Sequence, residues 1–79
     1  MSAPDINTIA EIIATVLEIS DASEIDEFSS AATLEGWDSL KHMNIVISLE
    51  QTFGVKFEDS EIPTLMSIGV IRDAIQAKL

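Results

Sequence analysis

Seventy-nine residues with a hydrophobic fraction of 47% are enough for one small domain, close to the lower limit at which an apolar core holds together unaided. Fourteen acidic residues against four basic ones leave a formal charge of −10, which repels a phosphate backbone and argues against nucleic-acid binding. There is no cysteine, so disulfides, thiolate metal sites and thiol nucleophiles are excluded.

The charge favours protein partners that present Lys and Arg, with an attraction that weakens as salt rises. No apolar run approaches the ~20 residues needed to span a bilayer. The opening Met1-Ser2-Ala3-Pro4-Asp5 lacks the basic and apolar runs of a signal peptide. The expected location is the cytoplasm, with no membrane partner.

Ile6, Ile9, Ile13, Val16 and Leu17 recur at helical spacing, widened by Ala10 and Ile12, and predict a first helix from about Asn7 to Ile19. Asp5 stands where a carboxylate suits the helix dipole and can cap it. From Ser20 to Asp38 the periodicity stops. A loop this long needs a function or anchors, and Ile25, Phe28 and Leu34 are the expected anchors.

A second helix is predicted from Ser39 to Phe53, stopped by Gly54 in a left-handed position. Val55-Lys56-Phe57 reads as an extended link. Asp59 to Leu65 can supply one or two helical turns, disturbed by Pro63. Ser67 starts a last helix with Ile68, Ile71, Ile75 and Leu79 inward and Gly69 as a weak point. There is no repeat and no alternating strand pattern. The expected fold is all-α: one domain over residues 1–79, a small bundle of three main helices plus one short helix.

One segment carries chemistry. Gly36-Trp37-Asp38-Ser39-Leu40 places a serine hydroxyl where the long loop gives way to the second helix. Asp38 or Ser39 can cap that helix, and Gly36 can supply the turn before it. A serine nucleophile needs a base and an orienting group. His42, the sole histidine, stands one turn on, but Asp38 is the only nearby carboxylate, so no catalytic triad is expected.

At about 100° per residue, Ile45, Val46, Leu49 and Phe53 share one arc of the second helix. Leu40, Met43 and Ile47 make another. The first is expected inward. The second either stays exposed beside Ser39 for partners and cargo, as exposed Met suits, or is buried by a bundle that wraps the helix on two sides. His42 falls in the inward arc and is expected to pack on the loop with its ring edge wet, with gating of the space beside Ser39 as the alternative. Trp37 reads as loop packing, with recognition as the alternative. The acidic run Asp21, Glu24, Asp26 and Glu27 lacks the glycine of a calcium loop, and no specific metal site is expected.

Gly36-Trp37-Asp38-Ser39-Leu40, a helix ending Leu49-Glu50-Gln51-Thr52-Phe53-Gly54, and the acidic Phe57-Glu58-Asp59-Ser60-Glu61-Ile62 together resemble an acyl carrier protein of the free-standing bacterial type. The resemblance runs from the first helix to the last. It implies a carrier with no catalysis of its own. Ser39 would be esterified with the 4′-phosphopantetheine of coenzyme A by a magnesium-dependent phosphopantetheinyl transferase. Asp38 would be a recognition group for that transferase, beside or instead of a cap, with Leu40 next to the attachment point. Trp37, Met43 and Ile47 would face partners or the acyl chain. The partners would be acyl ligases, synthases or transferases meeting a monomer.

The chain departs from the resemblance in one respect. The second helix holds Lys41, His42, Asn44, Gln51 and Thr52, with Glu50 its one acid beyond Asp38, whereas carriers of fatty acid synthesis present a strongly acidic second helix. Charge complementarity guides partner choice, so the expectation is a specialised carrier with a dedicated ligase or transferase. The competing reading is a cofactor-free helical interaction domain. A degenerate carrier of that kind would have lost Ser39 or Asp38, and both stand.

Overall fold

The computed structural model describes residues 5–79, so the reading of the opening Met1–Pro4 lies outside the described residues. Three helices form: α1 over Ile6–Leu17, α2 over Ser39–Phe53 and α3 over Ile68–Lys78. Short 3-10 turns stand at Ala22–Glu24 and Ile62–Thr64. Among the described residues there is no strand, only an isolated bridge between Ser30 and Ser67. The all-α expectation stands.

Each helix begins on a short polar side chain that accepts an otherwise orphaned amide. Asp5 takes the amide of Asn7 and Ser67 that of Val70. α2 begins at Ser39 and ends at Gly54, whose φ of 68° lies in the left-handed region, as read from the sequence. α1 stops at Leu17, two residues short of the expected end. Glu18 turns left-handed with φ of 60°, and the amide of Ile19 reaches back 2.8 Å to the carbonyl of Ala14.

α1 packs against both α2 and α3. Ile9 and Ile13 meet Ile45 and Leu49 of α2 and Ile68, Ile71 and Ile75 of α3 in one fully buried cluster, with Leu65 from the link. Leu79 follows the end of α3 and is half exposed, contrary to the inward position expected from its spacing. The pattern carries one residue beyond the helix that would have turned it inward.

The long loop is held by its backbone. The carbonyls of Ser29 and Glu27 accept the first two amides of α3, from Ile68 at 3.0 Å and Gly69 at 3.2 Å, and Ala31 donates to Met66 at 2.8 Å. A Cβ at Gly69 would stand 3.3 Å from the Glu27 oxygen, so glycine there permits the close approach. Ile25 is buried and Leu34 packs on the core, as expected of anchors. Phe28 does not: it is 82% exposed. Asp26 accepts the amide of Phe28 and donates its own to the Ser29 hydroxyl, a turn that puts Ser29 inside and Phe28 outside. The segment before α3 gives a single 3-10 turn that includes Pro63, rather than a longer helix.

Candidate functional site

Asp38, not Ser39, caps α2. Its Oδ1 accepts the amide of Lys41 at 2.9 Å, and its carbonyl accepts that of His42 at 2.8 Å. Ser39 is therefore the first residue of the helix, exposed and free of capping duty. The amides of Ser39 and Leu40 have no intrahelical acceptor, and among the described residues nothing else accepts them. At α3 the equivalent amides are covered by the loop; at α2 they remain available. An exposed hydroxyl beside two free amides at the positive end of a helix is well placed to bear a phosphoester.

Beside Ser39 lies a hollow of about 450 Å³, lined by Trp37, Asp38, Ser39, His42, Met43, Ile62, Pro63 and Met66. Apart from Asp38, Ser39 and His42 the lining is apolar. A second hollow of about 440 Å³ between α1 and α2, lined by Thr8, Glu11, Ile12, Thr15, Ser48, Gln51 and Thr52, shares none of these residues and is more polar.

Of the residues singled out from sequence, Leu40, Met43 and Ile47 are 70%, 42% and 47% exposed, while Ile45, Val46 and Leu49 are buried and Phe53 packs on the core. The two arcs of α2 thus separate into an inner and an outer face. Trp37 is half-buried and stacks on the His42 ring at 6.0 Å between centroids. Met43 shares the hollow with Ser39; Leu40 and Ile47 do not line it.

His42 departs from expectation. Its ring edge is not wet: the residue is 8% exposed and both nitrogens are engaged. Trp37 Nε1 donates to Nδ1 at 2.9 Å, and Nε2 lies 2.7 Å from the carbonyl of Ile62. Since an indole N–H only donates, Nδ1 is the acceptor and the Nε2–H donates to Ile62. Neither nitrogen is available as a base for Ser39. The serine–histidine pair is not a catalytic one.

Sequence reading missed Ile62, Pro63 and Met66 as neighbours of Ser39. They follow Ser39 by more than twenty residues, and no periodicity or charge marks their approach. A contact between α2 and the 3-10 turn, made by a ring nitrogen to a backbone carbonyl, brings them there, and one sequence does not display it.

The electrostatics divide the molecule. On α2, Glu50 is occupied in accepting the amide of Phe57 at 2.8 Å, and Lys41 faces Glu18 at 3.7 Å. Glu61 accepts the amide of Glu58 and pairs with Lys78 at 2.8 Å, and these contacts, the amide first, hold its carboxyl below the usual value. Asp21 is likewise held low by the hydroxyl and amide of Ser23. Among the described residues the acidic run gathers into no group of three or more metal-ligating side chains, and no helix is long and apolar enough to cross a membrane.

Comparison with known proteins agrees with this geometry. Residues 7–76 match the family model described as the phosphopantetheine attachment site. The chain is 33% identical over 63 residues to "Acyl carrier protein 2, chloroplastic" of Hordeum vulgare, a match covering 80% of this chain and 48% of that protein. The chain thus spans about half the length of this curated relative. The solution structure of holo acyl carrier protein from Geobacter metallireducens superposes with a TM-score of 0.79 at 30% identity, over 95% of this chain and 85% of that one. With its helices, its exposed serine and these matches in agreement, the chain belongs to the acyl carrier protein family, a family of phosphopantetheine-bearing carriers rather than catalysts.

Proposed function

We propose that Ser39 is the attachment residue for 4′-phosphopantetheine and that the chain, as one carrier domain over residues 1–79, carries acyl or aminoacyl groups to partner enzymes. The observation that supports this most directly is the exposed Ser39 hydroxyl at the start of α2, beside two uncommitted amides and on the rim of an apolar hollow. The arm supplies, when bound, the thiol that this cysteine-free chain lacks. The chain's own part would be to hold the phosphoester with the Ser39 and Leu40 amides and to present the outer face of α2. Asp38 fixes the first turn and offers a carboxylate beside the serine for recognition by a phosphopantetheinyl transferase.

The partner face is Leu40, Met43 and Ile47, with Trp37 at the hollow. Because Glu50 is turned to the Phe57 amide and the first turn of α2 carries Lys41 and no acid, this face is apolar rather than acidic. It suits a dedicated acyl ligase, synthase or transferase better than an enzyme that reads acidic helices. The carrier acts as a monomer in a compartment that supplies coenzyme A, as the cytoplasm does. Efficient charging and turnover by general fatty-acid synthase enzymes would count against a dedicated partner.

Intact-protein mass spectrometry tests the attachment. After incubation with coenzyme A, magnesium and a broad-specificity phosphopantetheinyl transferase, the parent should gain one arm and the Ser39→Ala variant none. An arm on the variant would move the site elsewhere. A folded parent that takes no arm from this or any dedicated transferase would favour the cofactor-free interaction domain.

A further inference from the structure

Trp37, His42 and Ile62 come from three separate parts of the chain: the loop before α2, α2 itself and the 3-10 turn before α3. The His42 ring joins them, accepting from the Trp37 indole at 2.9 Å and donating to the Ile62 carbonyl at 2.7 Å. Both rings line the hollow that has Ser39 on its rim. This arrangement has one workable protonation state. With a proton on Nε2 alone, every partner is satisfied. A second proton on Nδ1 sets two N–H donors against each other at a histidine that is only 8% exposed, where an unpaired donor is costly.

We propose that this bridge is a latch on the hollow beside Ser39, holding the Trp37 indole as its wall while His42 is neutral and releasing it when the ring is protonated. Protonation leaves the bond to Ile62 intact and strengthens it, so it is Trp37 that lets go. None of the charged groups of the surrounding elements bonds to the ring. Asp38, on the rim, is occupied by the amide of Lys41; Lys41 itself faces Glu18; Glu61, which precedes Ile62, is held by the Glu58 amide and Lys78; Glu35 lies in the loop and bonds to neither ring. Among the described residues no carboxylate pairs with the ring. Protonation of the ring would therefore reshape the wall of the hollow with the bundle intact. The consequence for the arm rests on Ser39 as its attachment site; the bridge does not.

Trp37 and His42 are the sole tryptophan and histidine, so each reports on itself without labelling at other sites. In the unmodified chain, the indole N–H resonance, the tryptophan fluorescence and the imidazole ring resonances should be followed from about pH 8 to about pH 5. All should move with a single midpoint, with loss of hydrogen-exchange protection at the indole and unchanged far-ultraviolet circular dichroism. His42→Gln, which offers a donor and an acceptor but does not titrate, should flatten the Trp37 profile. Trp37→Phe, which keeps an aromatic ring and removes the opposing donor, should let His42 protonate at higher pH than in the parent. In the arm-loaded chain, the resonances of the arm should shift across the same midpoint.

Separate midpoints for Trp37 and His42, an unchanged profile in His42→Gln, or an unmoved His42 titration in Trp37→Phe would overturn the latch. So would loss of helix at the shared midpoint, because the chain would then be unfolding. Arm resonances that ignore the midpoint would overturn its link to the hollow. A Ser39 that accepts no arm would overturn the functional reading alone, since the latch is judged in the unmodified chain.

Discussion

Glu18 ends α1 with φ of 60°, a conformation that costs a residue with a side chain about 1 kcal/mol. Glycine adopts it freely, at the expense of a more flexible unfolded chain. The Glu18 carboxylate lies 3.7 Å from Lys41 and is largely exposed, so the pair contributes little. Glu18→Gly should therefore raise stability by roughly 0.5 kcal/mol with an unchanged denaturant slope in urea unfolding. A loss would show that the glutamate side chain outweighs the strain. Gly54 does the same task for α2 and is legible in the sequence because glycine announces it; nothing about a glutamate announces a left-handed turn. Ser39 presents the complementary case. Since Asp38 holds the cap, Ser39→Ala should leave stability within about 0.5 kcal/mol of the parent, and a larger loss would assign the serine a structural role.

α2 is the element in which folding and function occupy different faces. Ile45 and Leu49 are fully buried against α1 and α3, whereas Met43 on the outer face is 42% exposed. Ile45→Ala should cost roughly 2–5 kcal/mol, a large part of the stability of so small a domain. Met43→Ala should change stability by less than about 0.5 kcal/mol while reducing turnover by acyl-handling partners. Thermal unfolding beside a partner assay separates the two, and the reverse pattern would invert the faces. The bounds and faces of α2 were readable because caps and a 3.6-residue period write themselves into side chains. The loop from Ser20 to Asp38 was not. Its anchorage lies in the carbonyls of Ser29 and Glu27, which every residue possesses, and a local Asp26–Ser29 turn sends Phe28 outward against its hydrophobicity. The floor of the hollow was hidden for the same reason: His42 meets Ile62 through a backbone oxygen.

Across the whole molecule, fourteen acids and four bases must share a body whose longest dimension is 29 Å. Such a charge excess opposes the compact state through self-repulsion. Four ion pairs offset it among the described residues: Lys41–Glu18, Arg72–Glu27, Arg72–Asp73 and Lys78–Glu61. Three of them are at 3.3 Å or longer with substantially exposed carboxylates, so salt weakens an attraction that is already small. The repulsion, summed over ten uncompensated charges, is screened by the same salt and is the larger quantity. The thermal midpoint at pH 7 should therefore rise by several degrees between about 10 mM and about 300 mM sodium chloride. The acid limit has the opposite origin. Asp21 and Glu61 are held below their ordinary values of 3.8 and 4.5 by hydrogen bonds made only in the fold, so each contributes stability above its unfolded value and loses it as pH falls through the folded one. Asp21 is exposed and Glu61 partly so, so the loss should be modest and confined to pH values below those numbers. A midpoint that falls with salt at pH 7 would mean that the ion pairs, chiefly Lys78–Glu61, outweigh the net charge, and that this acidic chain is held together by attraction between charges despite its excess of one sign.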